Sequence, residues 1–175
     1  MKRVLITGAS SGIGKQLAHD YLQNGWRVVA CGRDRQKLQQ LSDSEQVEYR
    51  VFDTNDSERT STALADLSDL DLVILNAGSC EYVDVHDWDS KLFHRVFEAN
   101  FFSAVNCLEH LLPQAGKGSQ ILFVDSLARL LPFTRSEAYG VSKAALHYLA
   151  KSLEVDLKDK GVTIQSVSPG FVRTR

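Results

Sequence analysis

Thr7-Gly8-Ala9-Ser10-Ser11-Gly12-Ile13-Gly14 is the stretch that decides how this chain folds. It follows the apolar run Val4-Leu5-Ile6 directly and opens a helical pattern over residues 13–24. Gly8 stands where the first strand ends and the chain must turn sharply without a Cβ. Gly12 and Gly14 let backbone and ligand approach closely as the helix begins, with Ser10, Ser11 and Ile13 completing the cradle. The exposed N–H groups and the helix dipole at such a turn favour a pyrophosphate. A plain glycine-rich connection would need no such context; a glycine turn placed between a first strand and a first helix is the setting of a dinucleotide site.

The pattern repeats outward from this turn. Val4–Ile6, Val28–Cys31, Leu72–Leu75, Ile121–Val124 and Val162–Val167 are short apolar runs, most of them continuous, as strands covered on both faces require. Val47, Tyr49 and Val51 alternate with Glu48 and Arg50, the pattern of an edge strand. Helical patterns fall near 13–24, 35–41, 57–66, 88–112 and 136–159, the last with Leu146, Leu149, Leu153 and Leu157 at helical spacing toward a core. Asn24-Gly25 and Lys160-Gly161 end helices just before the next strand. Strand–helix alternation without repeats or linkers predicts one open, doubly wound α/β domain over residues 1–175.

Bulk properties narrow the function. The composition, 43% hydrophobic and 24% charged, suits a soluble globular protein. A net charge of −2 gives no electrostatic basis for a nucleic acid or membrane partner. No run approaches the roughly 20 apolar residues of a membrane span. Cys31, Cys80 and Cys107 are odd in number and far apart, which indicates neither a disulfide framework nor a zinc site. The five histidines, at 19, 86, 94, 110 and 147, lack metal-ligand spacing, so no metal is expected. A reducing cytoplasm is the natural location.

Far downstream, Tyr139-Gly-Val-Ser-Lys143 puts a phenol and an ammonium four residues apart, on one helix face. A cation beside Tyr139 is expected to draw the phenol below its ordinary pKa near 10, toward acid–base use. TGxxxGxG together with YxxxK resembles the short-chain dehydrogenase/reductase family. The likeness runs through Asn76-Ala77-Gly78, Asn100, Ser126 and Pro169-Gly170 in the family's order. The resemblance implies a Rossmann-like sheet and hydride transfer between NADP(H) or NAD(H) and a carbonyl or secondary alcohol. It assigns Tyr139 as acid–base group, Lys143 as its tuner and a ligand of the nicotinamide ribose, and Ser126 as oxyanion donor. Asn100 anchors a proton-relay water, Asn76 stiffens the central strand, and Ala77 and Gly78 pack along the cofactor. It also implies dimers or tetramers built from the helices near 88–112 and 136–159, where Phe93, Phe97 and Phe101 form a stripe that suits either an interface or the core.

NAD enzymes usually carry an acid at the end of the second strand. Here Gly32 takes that place and Arg33 follows, a guanidinium suited to a 2′-phosphate. The alternative for Arg33 is a surface pair with Asp34; NADP is favoured, with NAD as the second possibility. Asp53 matches the family's acid that accepts from the adenine amino group, and Asp56 or Ser57 caps the next helix.

Three departures from the family stand out. Asp125-Ser126 replaces a common Ser-Ser pair, and Arg129 replaces a common glycine, reaching either the substrate mouth or solvent. Pro169-Gly170-Phe-Val-Arg-Thr174 resembles the segment where a threonine meets the nicotinamide carboxamide, but relatives continue into a substrate lid, a helix and a seventh strand. The resemblance therefore implies a C-terminally incomplete domain, with Val162–Val167 as a long apolar edge, weak cofactor binding and poor turnover. The rival readings are a non-catalytic dinucleotide-binding regulator and, more distantly, a sugar-nucleotide epimerase or dehydratase.

Overall fold

The computed structural model describes residues 1–173. Six parallel strands form one sheet: β1 (Arg3–Thr7), β2 (Arg27–Gly32), β3 (Val47–Val51), β4 (Leu72–Leu75), β5 (Gln120–Val124) and β6 (Thr163–Val167). Their spatial order is β3-β2-β1-β4-β5-β6, the doubly wound arrangement that the alternation predicts. The strand order reverses between β1 and β4, and a crevice opens there at the carboxyl ends of the strands.

Alternation within each strand divides the core between the two faces of the sheet. Val4 and Ile6 of β1 face one layer with Val28, Ala30, Leu72 and Ile74, covered by α1 (Gly12–Gln23) and α2 (Arg35–Gln39). Leu5 faces the other layer with Val29, Val73, Leu75, Ile121 and Phe123. That layer is covered by α3 (Ser57–Leu64), α5 (Ser103–Leu111) and α6 (Glu137–Leu157). Leu146 and Leu157 of α6 are buried there, with Leu149 and Leu153 packed against them. Gly25 and Gly161 close α1 and the turn after α6 at φ 75° and 68°, a left-handed conformation in which a Cβ is strained.

Two expectations change. Residues 88–112 do not form one continuous helix. α4 (Ser90–Phe97) passes into a π-helical turn over Glu98–Phe102 before α5 resumes. A π turn holds one residue more than an α turn and so rotates the helix beyond it, and the residue in its middle is Asn100, fully buried. β6 is an edge strand among the described residues, opposite β3, but not an apolar one. Thr163 and Gln165 are exposed and only Ile164 is buried. The Phe93, Phe97 and Phe101 stripe is half-buried, with Phe101 packed on the core and Phe93 stacked 4.8 Å from Trp88. No helix among the described residues is long and apolar enough to cross a membrane.

Candidate active site

A cleft of about 1260 Å³ runs across the carboxyl ends of the strands. Its first wall is the turn from β1 to α1. Gly8 there has φ 67°, and Gly14 lies so close beneath it that a Cβ would meet the Gly8 carbonyl oxygen at 2.3 Å and Asn76 Nδ2 at 2.6 Å. Ser11 holds the N-cap position without a side-chain cap, and the first turn of α1 carries no acid. The leading N–H groups of α1 thus lack the usual internal partner, and Gly8, Ser10, Ser11, Gly12 and Ile13 all line the cleft. Asn76 ties this wall to β4. Its Nδ2 donates to Thr7 O at 3.0 Å, while the Asn76 and Ala77 N–H groups donate to Thr7 Oγ1 at 2.9 and 3.0 Å.

At the far edge of this half, Arg33 extends into solvent with its side chain 75% exposed, 3.5 Å from Asp53 Oδ2. Asp34 does not compete for that guanidinium. Its carboxylate caps α2 by accepting from Lys37 N at 3.1 Å, and this bond holds its pKa below the ordinary value. Asp53 also accepts from Asn55 N, and Asp56, not Ser57, caps α3 through Arg59 N.

The second wall comes from β5 and α6. Ser126 follows β5 and its Oγ accepts from Ala128 N at 3.2 Å, closing a short 3-10 turn over Leu127–Arg129. That bond leaves the hydroxyl hydrogen free to donate. α6 presses on the turn so tightly that a Cβ on Gly140 would stand 2.9 Å from Ala128 O. Tyr139 and Lys143 both reach the cleft, with Lys143 Nζ 5.9 Å from the Tyr139 ring centroid. Lys143 is 4% exposed and donates to Val124 O at 2.9 Å. Burial drives its ammonium down to about 8, against an opposing pull from Asp125. Tyr139 moves the other way from expectation. Burial raises its pKa more than the facing Ser126 lowers it, because a phenolate loses more hydration in this wall than its neighbours return.

Asn100 sits behind this wall, outside the cleft. Its Oδ1 accepts from Ser79 N at 2.7 Å, and its Nδ2 donates to Ser79 O and Ser142 Oγ at 2.9 Å each. Both N–H groups of the amide and its oxygen join the segment after β4 to α6. Gly78 is wedged between Asn100 and Lys143; a Cβ there would lie 2.6 Å from Asn100 Oδ1 and 3.4 Å from Lys143 Nζ. Pro169 and Gly170 line the mouth of the cleft; Thr174 lies outside the described residues.

Residues 2–175 match the family model described as short chain dehydrogenase. The chain belongs to the short-chain dehydrogenase family. It is an oxidoreductase acting on CH–OH or C=O groups. It is 32% identical to serine 3-dehydrogenase of Rhizobium radiobacter, over 98% of this chain and 72% of that protein. It is also 32% identical to sulfoacetaldehyde reductase of Chromohalobacter salexigens, over 98% and 72%. The closed form of a serine dehydrogenase complexed with NADP+ superposes with a TM-score of 0.90 at 25% identity, covering 98% of this chain and 73% of that one.

This short-chain dehydrogenase holds one polar cluster that sequence reading did not assemble. Asp125 is buried, with His147 Nδ1 at 2.8 Å and Arg129 Nε at 3.0 Å from its Oδ2. Arg129 is therefore not a solvated loop residue: its guanidinium is held against Asp125, outside the residues that line the cleft. A signal did exist for His147, which continues the Tyr139–Lys143 row by one more turn of α6. Nothing local announced that Asp125 would face it.

Proposed function

We propose that this short-chain dehydrogenase is an NADP(H)-preferring reductase of a small carbonyl compound, working through Tyr139, Lys143, Ser126 and Asn100. One observation carries the reading: the glycine turn at Gly8–Gly14 and the Ser126–Tyr139–Lys143 wall open into the same cleft. The donor set fits a dinucleotide, since Gly14 lets α1 close against the Gly8 carbonyl and Asn76, which brings the first N–H groups of α1 to the cleft without a side-chain cap. Gly8, Ser10, Ser11, Gly12, Ile13 and Gly14 would form the pyrophosphate cradle, Arg33 would take the 2′-phosphate, and Asp53 the adenine. Asn76, Ala77, Gly78, Pro169 and Gly170 would flank the nicotinamide half. When bound, NADP(H) supplies or accepts the hydride.

The protein groups manage the proton and the charge. Ser126 donates its hydroxyl hydrogen to the carbonyl oxygen as negative charge develops there. Tyr139 passes its phenolic proton to that oxygen, so the former C=O π pair ends as the O–H bond and a phenolate remains. Lys143 offsets the phenolate and would hold the ribose, and Asn100 keeps Gly78–Ser79 in register beside it as the anchor of proton return. Burial keeps Tyr139 protonated at neutral pH, which loads the site for reduction. Leu127, Leu130, Leu131 and Phe133 are exposed beyond Ser126, and Phe171 packs on Phe133 at 5.7 Å.

The test is NADPH absorbance with sulfoacetaldehyde and an aryl diketone, and NADP+ reduction with serine. Turnover of at least one compound, lost in Tyr139→Phe with NADPH binding intact, is the expected result. Full turnover in Tyr139→Phe overturns the mechanism; NADPH binding without turnover of any carbonyl favours the regulator. The same reading places a single dinucleotide-binding domain in the cytoplasm as a homodimer or homotetramer through the helices at 88–112 and 136–159. Exposed Phe102, Val141, Tyr148 and Val155 on those helices support it, and light scattering after size exclusion tests it.

A further inference from the structure

Behind the reactive wall, Asp125 joins three elements. Its backbone N–H donates to Val167 O of β6, and its carboxylate, with no exposed surface, meets His147 of α6 and Arg129 of the Ser126 turn. Arg129 Nε also donates to Ser168 Oγ at 3.2 Å, and His147 Nδ1 lies 2.8 Å from Ser166 Oγ. A ring nitrogen carries either a proton or a lone pair. A lone pair on Nδ1 would face the carboxylate's own lone pairs at 2.8 Å, so Nδ1 carries the proton, donates to Asp125, and shares it with Ser166 Oγ.

Both partners fall on Oδ2. The other oxygen, Oδ1, is buried and has no hydrogen-bond partner among the described residues. A buried carboxylate oxygen left this way is costly unless its charge acts on something nearby. Lys143 is the available cation: it is anchored on the carbonyl of Val124, the residue before Asp125, and lies one helical turn from His147. The titratable groups facing Lys143 are Tyr139 from α6, Cys80 from the segment after β4, and Asp125 from the end of β5; those facing Asp125 are Arg129 and His147.

We propose that Asp125 is a positioning residue of this site: clamped by His147 and Arg129, it fixes the Ser126 turn against α6 and β6, one residue beyond the carbonyl that holds Lys143. Its importance for turnover rests on the function proposed above, but its effect on Lys143 does not. Removing the carboxylate's charge should make the ammonium easier to deprotonate, and removing the Arg129 cation should make it harder.

The experiment tracks Lys143 Nζ by NMR in 15N-lysine-labelled protein, with the signal assigned by its loss in Lys143→Met. The wild-type midpoint is expected at about 8. Asp125→Asn, close in shape and still able to accept from His147, should lower the midpoint by about half a pH unit or more, and Arg129→Gln should raise it. The alkaline limb of turnover should move the same way as the midpoint in each variant, which a purely structural role would not produce. A midpoint unchanged in both variants, or moved in one direction by both, overturns the proposal; if Asp125→Asn does not fold, an unchanged midpoint in Arg129→Gln does so alone. Retained turnover in Tyr139→Phe would instead strike the function, leaving the NMR result on Asp125 standing.

Discussion

At the β1–α1 end of the cleft the working surface is backbone; at the β5–α6 end it is side chains held in a dry network. The first end works by exclusion: a Cβ on Gly8 or Gly14 would strike Ala77, Asn76 or the Gly8 carbonyl, so only glycines let strand, turn and helix close up behind the ligand space. The second works by enclosure: Lys143 and Asp125 are charged groups withdrawn from water, one near Val124 O and the other between His147 and Arg129. A backbone cradle tolerates no added atom but needs no particular charge. A buried network tolerates changes of bulk better than loss of a proton or a partner.

That contrast can be broken by substitution. Tyr139→Phe removes one oxygen from the side-chain end and should lower turnover by about 10³-fold while leaving the NADPH Kd nearly unchanged, as read by stopped-flow and fluorescence titration. Gly14→Ala adds one carbon to the backbone end. Its Cβ meets carbonyl oxygen rather than a flexible side chain, so an NADPH affinity loss of about 100-fold is expected, with a lowered Tm. If Gly14→Ala affected turnover alone, the division of labour would be wrong.

Arg33→Ala is a smaller test at the rim of the backbone end. The guanidinium is largely exposed, so NADPH should bind about 10-fold more weakly and NADH equally well in the variant. Equal losses for both cofactors would remove the case for a 2′-phosphate contact.

Lys143→Met sharpens the other end through stability. An ammonium held at about 8 instead of 10.5 binds fewer protons folded than unfolded between those values, so its penalty on the fold is full below pH 8, fades as pH rises from 8 to 10.5, and is gone above that. At neutral pH the cost is about 3 kcal/mol, reduced by the hydrogen bond to Val124 O. Lys143→Met should therefore raise Tm by a few degrees at pH 7, abolish turnover, and lose its stability advantage by pH 11, as thermal scans would show. A lower Tm at pH 7 would mean the lysine is structural first.

The same contrast explains what could be read before the fold was known. The glycine turn was legible because its chemistry lies in eight consecutive residues with a strand on one side and a helix on the other. The strands were legible because Val4–Ile6 and Leu72–Leu75 are continuous apolar runs. The π turn was not, since no proline or glycine marks residues 98–102 and the extra residue shows only in hydrogen-bond spacing. The direction of the Tyr139 shift was missed because burial, which outweighs the Ser126 contact, is a property of packing. Asp125, His147 and Ser166 come from three separate elements, and only the β5–β6 register and the face of α6 bring them together.

The row Tyr139, Lys143, His147 has a consequence for how this chain can vary in length. The three groups sit at intervals of four on one helix, so a single residue inserted or deleted between Tyr139 and His147 would turn the rest of α6 by about 100°. Such a change would part the proton donor from the ammonium and clamp, or the clamp from the other two, depending on which side of Lys143 it falls. Over this stretch, α6 is a ruler that admits substitution but not a change of length.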